Sequence, residues 1–250
     1  MTMLGIMAAL PQELGDLVAQ MHAAGAVETV TLGQREYHVG HAHGVRVVAT
    51  LARIGKVAAA ATASALIHVF KVDAIVFTGV AGGVHANVRV GDIVIGDTLL
   101  QHDLDASPLF PRYEVPLLAR SHFAADPSFS DALALAAASF IVDEGRALAE
   151  RFAVHAPRVH RGLIVSGDRF VASNEGVLAL RDALPDALAV EMEGAALAQV
   201  CFEHAVPCAV VRTISDSADA AAPESFAEFL VAIAGAYSSG ILVRFLRSVH

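Results

Sequence analysis

Short apolar runs alternate along this chain with longer stretches of helical periodicity. Leu4–Leu10, Asp73–Thr78, Val90–Ile95, Gly162–Ser166 and Ala209–Ile214 read as strands. After its first residue, Asp73–Thr78 is unbroken apolar and β-branched sequence, as expected of a strand covered on both faces. Val27–Leu32, Glu36–His41 and Val45–Leu51 read as three successive strands turned at Gly33 and Gly44. Helices are expected over Pro11–His22, with Pro in the first turn, and over Gly55–Phe70, Phe129–Glu150 and Glu191–Glu203. Ser225-Phe226-Ala227-Glu228 has the spacing of a capping box and is expected to open the last helix. This alternation predicts one α/β domain over residues 1–250 with a largely parallel or mixed sheet. The one long irregular stretch, Thr98–Ser128, carries four prolines, and loops of that length usually serve a site or an interface.

Composition narrows the class. The 250 residues are 55% hydrophobic and only 17% charged, with a mean hydropathy of +0.56. Such a chain is neither disordered nor a coiled coil. Its longest uncharged stretch near the end, Phe229–Val243, is 15 residues long, short of the roughly 20 that span a bilayer. A buried helix is expected there, with the apolar excess placed in a core or a subunit interface. The net charge is −9 and no segment concentrates Lys and Arg, so neither nucleic acid nor an anionic membrane is an expected partner. Cys201 and Cys208 lack CxxC spacing and read as buried thiols in a reducing compartment. The start lacks a basic region followed by a long apolar run, so a cytoplasmic location is expected.

In open α/β sheets the ligand lies beyond the carboxyl ends of the strands. Those ends here supply Glu13, the glycines of Gly79–Gly83, Asp168 and Phe170, Glu191-Met192-Glu193, and Ser215-Asp216. Glu13 alone could simply complement a helix dipole. Gly79–Gly83 fits neither the dinucleotide fingerprint nor the phosphate-loop spacing and reads as a tight turn or a close backbone approach. The carboxylates of Glu191, Glu193 and Asp216 sit at apolar junctions, where charge is costly unless paired or put to use. The twelve histidines have no metal-ligand spacing and there is no G-x-S-x-G elbow, so no metal and no serine hydrolase is expected.

Several segments together resemble the 5′-methylthioadenosine/S-adenosylhomocysteine nucleosidases of the nucleoside phosphorylase superfamily. They are Gly5–Glu13, Gly55–Ala60, Thr78–Gly83 with Val90–Val94, Gly162–Phe170, Val190–Glu193, Val211–Asp216, and Ser225-Phe226 with Glu228–Leu230. The resemblance covers nearly the whole chain in order, broken mainly between Pro108 and Ser128. It implies a three-layer domain with a central mixed, twisted sheet flanked by helices. It also implies a homodimer, a nucleoside substrate, no cofactor and a place in methionine salvage. By resemblance, Asp216 is the acid that protonates the purine at N7, oriented by Ser215. Glu13 activates the attacking water, which Arg212 helps to position. Glu193 accepts hydrogen bonds from the ribose hydroxyls, with Met192 packed beneath the sugar, and Glu191 is a further substrate-binding residue. Phe170 stacks on the base and the backbone of Val171 reads its edge, Gly82 is a further substrate-binding residue, and Leu10, Ile54 and Phe226 line the 5′ pocket. Val80 stands where the family often has Ser. Ala106 and Leu109 replace larger 5′-pocket residues, and Pro108–Arg120 departs from the family's loop, which opens the question of the 5′ substituent.

The leading expectation is a hydrolase that frees the base from a 5′-modified adenosine. The alternatives are a phosphate-dependent purine nucleoside phosphorylase, a futalosine-type nucleoside hydrolase and a non-catalytic binding relative. Phosphorylases of the superfamily place arginines in stretches corresponding to Pro11–Asp16 and Ala74–Gly79, and neither contains one here; Arg53 and Arg212 remain as donors.

Overall fold

The computed structural model describes residues 3–151 and 156–249. The reading of Met1 and Thr2 as part of a leaderless start lies outside them. The hub is β5 (Ala74–Gly83), every residue of which is buried. On one edge it pairs in parallel with β1 (Met3–Ala8), and near its end in antiparallel fashion with β9 (Ala187–Glu191). On the other it pairs in parallel with β10 (Cys208–Asp216). β6 (Ile93–Gln101) joins β10, β8 (Val159–Ser166) joins β6, and β9 joins β8. Five strands thus close into a ring, while β4 (Val45–Leu51), β3 (Arg35–Ala42) and β2 (Glu28–Leu32) extend the sheet from β1. The central mixed sheet is flanked by helices, as the fold class anticipated.

On one face, α3 (Lys56–His68) and α7 (Gly194–Glu203) bury alanines and leucines against Met7, Ile75 and Phe77. On the other lie α1 (Pro11–Leu14), α2 (Leu17–Ala24), α4 (Pro127–Phe140), α8 (Ala222–Phe229) and α9 (Gly235–Ser248). A π-helical turn at Ile141–Gly145 joins α4 to α5 (Arg146–Arg151), and another at Leu230–Ala234 joins α8 to α9. The helical stretch 222–248 is long and apolar enough to cross a bilayer by length and composition. Its stripe Phe229, Ile233, Tyr237, Ile241 and Phe245, spaced by four, is buried in the core, as the expectation of a buried helix required.

Several expected elements differ. The first helix is broken at Gly15, whose φ of 61° is left-handed and whose missing side chain admits Ser239 of α9. The last helix begins at Ala222, with Pro223 in its first turn, so Ser225 lies inside it. Gly79–Gly83 is no turn; it continues β5, because β10 and β9 pair with it on both edges. Glu191 ends β9 rather than opening α7. α6 (Asn174–Ala183), capped by Ser173, was not anticipated, nor was β7 (His122–Ala124), which pairs with β6. The irregular stretch shrinks accordingly to 102–121.

Candidate active site

The carboxyl ends of β1, β5, β8, β9 and β10 converge on a pocket of about 400 Å³. Its walls include Leu10, Glu13, Ile54, Gly82, Phe170 and Val171, together with Glu191, Met192, Glu193, Ser215, Asp216 and Phe226. Twelve of the thirteen expected site residues therefore meet in one place. Arg212 is the exception.

Glu13 is buried at the turn after β1. Its Oε2 accepts from Ala9 N at 2.9 Å and Leu10 N at 2.7 Å, and its Oε1 accepts from Val80 N at 2.9 Å. Burial raises its pKa, opposed by the nearby Arg212 charge and by these three N–H groups. Asp216 is 2% exposed. Its Oδ2 accepts from Ser215 Oγ at 2.8 Å and its Oδ1 from Ala218 N at 2.8 Å. Burial again raises the pKa against those bonds, so the carboxyl holds a proton to higher pH than a free aspartate. Glu193, 5% exposed, accepts from Gly55 N at 2.7 Å. Burial first, and then the neighbouring Glu191 charge, push its pKa from 4.5 to about 8.

Glu191 lines the pocket but is already fully partnered. It accepts from Ser166 Oγ, from Glu193 N, from Gly194 N at 2.8 Å and from Arg212 Nη2 at 2.6 Å. Its carboxylate thus also organises the start of α7. Arg212 lies behind the pocket wall, 1% exposed, with its guanidinium 4.1 Å over the Phe77 ring. It stabilises Glu191 by contact and Glu13 through its field.

Glycine gives these groups room. A Cβ on Gly79 would lie 2.9 Å from both Glu13 Oε1 and Arg212 Nη1, and one on Gly82 would lie 2.9 Å from Asp216 Oδ1. The two glycines are three residues apart on β5, and both carboxyls line the same pocket. Sequence reasoning gave no role to Ser166, which also accepts from Ala195 N at 2.7 Å, or to the backbone N–H of Gly55. Ser166 lies within the Gly162–Phe170 segment; the Gly55 contact has no sequence signal, since it joins residues 138 apart.

Comparison with known proteins bears directly on this arrangement. The family model of the phosphorylase superfamily matches residues 3–247. A 5′-methylthioadenosine/S-adenosylhomocysteine nucleosidase of Aeromonas salmonicida is 36% identical over 242 residues, 97% of each chain. The chain belongs to this nucleosidase family, within the phosphorylase superfamily. The Neisseria meningitidis nucleosidase, solved with methylthio-immucillin-A, superposes with a TM-score of 0.88 at 36% identity over the full length of both chains. Futalosine hydrolase of Helicobacter pylori superposes with a TM-score of 0.83 at 30% identity, covering 99% and 98% of the two chains. Against the family pattern, Val80 keeps a backbone N–H on Glu13 but offers no hydroxyl. Ala106 and Leu109 lie outside this protomer's pocket lining, and Leu109 is 84% exposed.

Proposed function

We propose that this chain hydrolyses the N-glycosidic bond of a 5′-modified adenosine of the methylthioadenosine/S-adenosylhomocysteine type, releasing adenine. The observation that carries the reading is one pocket with two buried carboxyls, Glu13 after β1 and Asp216 at the end of β10, and a third, Glu193, at the start of α7. Asp216 donates its proton to N7 of the purine, and the C1′–N9 electrons leave with the base. Protonation of the leaving group is worth about 10²- to 10⁴-fold in such positions. Glu13 takes a proton from the water that attacks C1′. Glu193 faces the ribose hydroxyls. Its carboxylate is costly in the empty pocket, so the cation developing on the sugar draws it into the charged form, an interaction that strengthens toward the transition state. Phe170, with its ring 5.7 Å from that of Phe226, stacks on the base.

Water rather than phosphate suits this pocket. The buried Glu13 would repel a phosphate dianion at the attacking position, and Arg212 is held by Glu191. Arg53 lines a neighbouring cavity, and Arg169, which does line the pocket, stands beside Phe170 on the side assigned to the base rather than beside Glu13. The test is to incubate the protein with methylthioadenosine, with and without phosphate, and identify the sugar. Free 5-methylthioribose in both cases is expected; a ribose 1-phosphate product sinks the reading.

The same reading extends to a cytoplasmic homodimer serving methionine salvage. Two free buried thiols, Cys201 and Cys208, support a reducing compartment. The exposed Val57, Leu117 and Phe202 support a subunit interface that light scattering of the purified protein checks.

A further inference from the structure

A second cavity, of about 710 Å³, shares Ala9, Leu10 and Ile54 with the first. Leu10 and Ile54 stand at the nucleoside's 5′ end in the reading above, on which this inference rests. A 5′ substituent too long for the first pocket crosses that shared wall. The far side of the second cavity is built from the β2–β3 turn and the segment after β4, and it carries Gln34, Arg35, Glu36, His38 and Arg53.

Both arginines are aimed by backbone carbonyls rather than by acids. Arg35 donates from Nε to Ala52 O at 3.1 Å and from Nη1 to Gly33 O at 3.1 Å. Arg53 donates from Nη2 to Gln34 O at 2.6 Å. Among the described residues neither guanidinium forms an ion pair, although Arg112, Arg161, Arg212 and Arg244 all do. Both guanidiniums lie on one cavity and keep N–H groups that these carbonyls do not use. Arg53 also holds a left-handed backbone, φ 71°, which an ordinary side chain adopts at a cost. Glu36 lies on the same rim, its Oε2 3.9 Å from His38 Nε2.

We propose that this cavity is a subsite for a 5′ substituent ending in a carboxylate, which Arg35 and Arg53 bind through their remaining N–H groups. Guanidinium presents a planar fork that matches a carboxylate in two-bond geometry. An amino-acid tail of the S-adenosylhomocysteine type sets its carboxylate there and its ammonium toward Glu36. A benzoate tail of the futalosine type uses the arginines alone.

The test compares kcat/KM for S-adenosylhomocysteine, its carboxyl methyl ester, methylthioadenosine and an adenosine bearing a 5′ benzoate tail. The variant is Arg35→Met with Arg53→Gly; Met keeps the stem of Arg35, and Gly suits the left-handed backbone at 53. Loss of charge-assisted bonds predicts a fall of about 10-fold or more in the homocysteine-to-methylthio ratio. The wild-type enzyme should treat the ester as the variant treats the acid. Arg53→Glu alone, a change at an exposed side chain, should lower the ratio in the same direction. A ratio within twofold of wild type overturns the proposal, as does an equal loss on both substrates. Wild-type preference for benzoate selects the carboxylate alone, whereas preference for homocysteine that Glu36→Gln abolishes selects the zwitterion. If no substrate releases adenine, the nucleosidase reading fails. Calorimetric affinities for S-adenosylhomocysteine and methylthioadenosine then still decide the subsite: a preference lost in the variant supports it, and equal affinities overturn it.

Discussion

Glu193→Gln should make this protein more stable at neutral and alkaline pH while impairing it as an enzyme. Burial holds the Glu193 carboxyl near a pKa of about 8 against 4.5 for an ordinary glutamate, and Glu191 and Glu13 add to the rise while Arg212 and the Gly55 N–H oppose it. Because the folded-state pKa is raised, the native state binds more protons than the unfolded chain between those two values. Stability therefore falls as pH rises from about 4.5 to about 8. At about 1.4 kcal/mol per pKa unit, the accumulated cost at pH 8 is roughly 4 kcal/mol. Glutamine keeps an oxygen for the 2.7 Å bond from Gly55 N and cannot ionise, so it removes that cost. Urea unfolding of both proteins at pH 5, 6.5 and 8 is the assay. The stability gain of the variant should grow steadily across the series. His43 and His102, both lowered by burial, titrate in both proteins and cancel in the difference. A gain that stays constant with pH, or a variant less stable than wild type at pH 8, refutes the argument. Adenine release should slow in the same variant, because the charge that burdens the fold is the one that meets the sugar cation.

Asp216→Asn keeps the bond from Ala218 N and the packing but loses the proton, so turnover should fall about 10²- to 10⁴-fold with substrate affinity retained. Single-turnover adenine release together with calorimetric binding reads both; near-normal turnover removes Asp216 as the acid. Glu13→Gln should lower kcat by at least a similar factor, since water activation is lost and the amide NH2 must face a backbone N–H that a carboxylate oxygen accepts. A KM effect alone would reassign Glu13 to binding. Gly82→Ala drives a methyl group to 2.9 Å from Asp216 Oδ1 and 3.0 Å from Ala218 Cβ, in a fully buried strand. It should cost about 1–3 kcal/mol in denaturant unfolding and displace the acid, with a loss of turnover larger than the loss of stability explains. Normal activity in that variant would show that the wall can give way.

Much of this site was legible in the chain. The apolar strands β1, β5 and β10 announced a covered sheet, and the carboxylates Glu13, Glu193 and Asp216 stood out because apolar strand ends rarely carry charge without a use. The motifs around them carried the family, which the comparisons bear out. The π-helical joints, α6 and the extension of β5 through Gly83 were not legible. Strand length there depends on pairing partners contributed by β9 and β10, not on the propensity of five small residues.

Sequence alone thus determined most of the strands, the order of their chemistry and the set of carboxyls that had to be explained. It could not rank them. Glu191 and Glu193 are two residues apart and chemically alike, yet one is held by Arg212, 21 residues on, and the other by a backbone N–H 138 residues away. The cost of a buried charge is set by the groups around it in space. Tertiary structure therefore tied Glu191 to Arg212 and the start of α7, gave Glu193 a backbone N–H at the start of α3, and buried Arg212 behind the pocket lining.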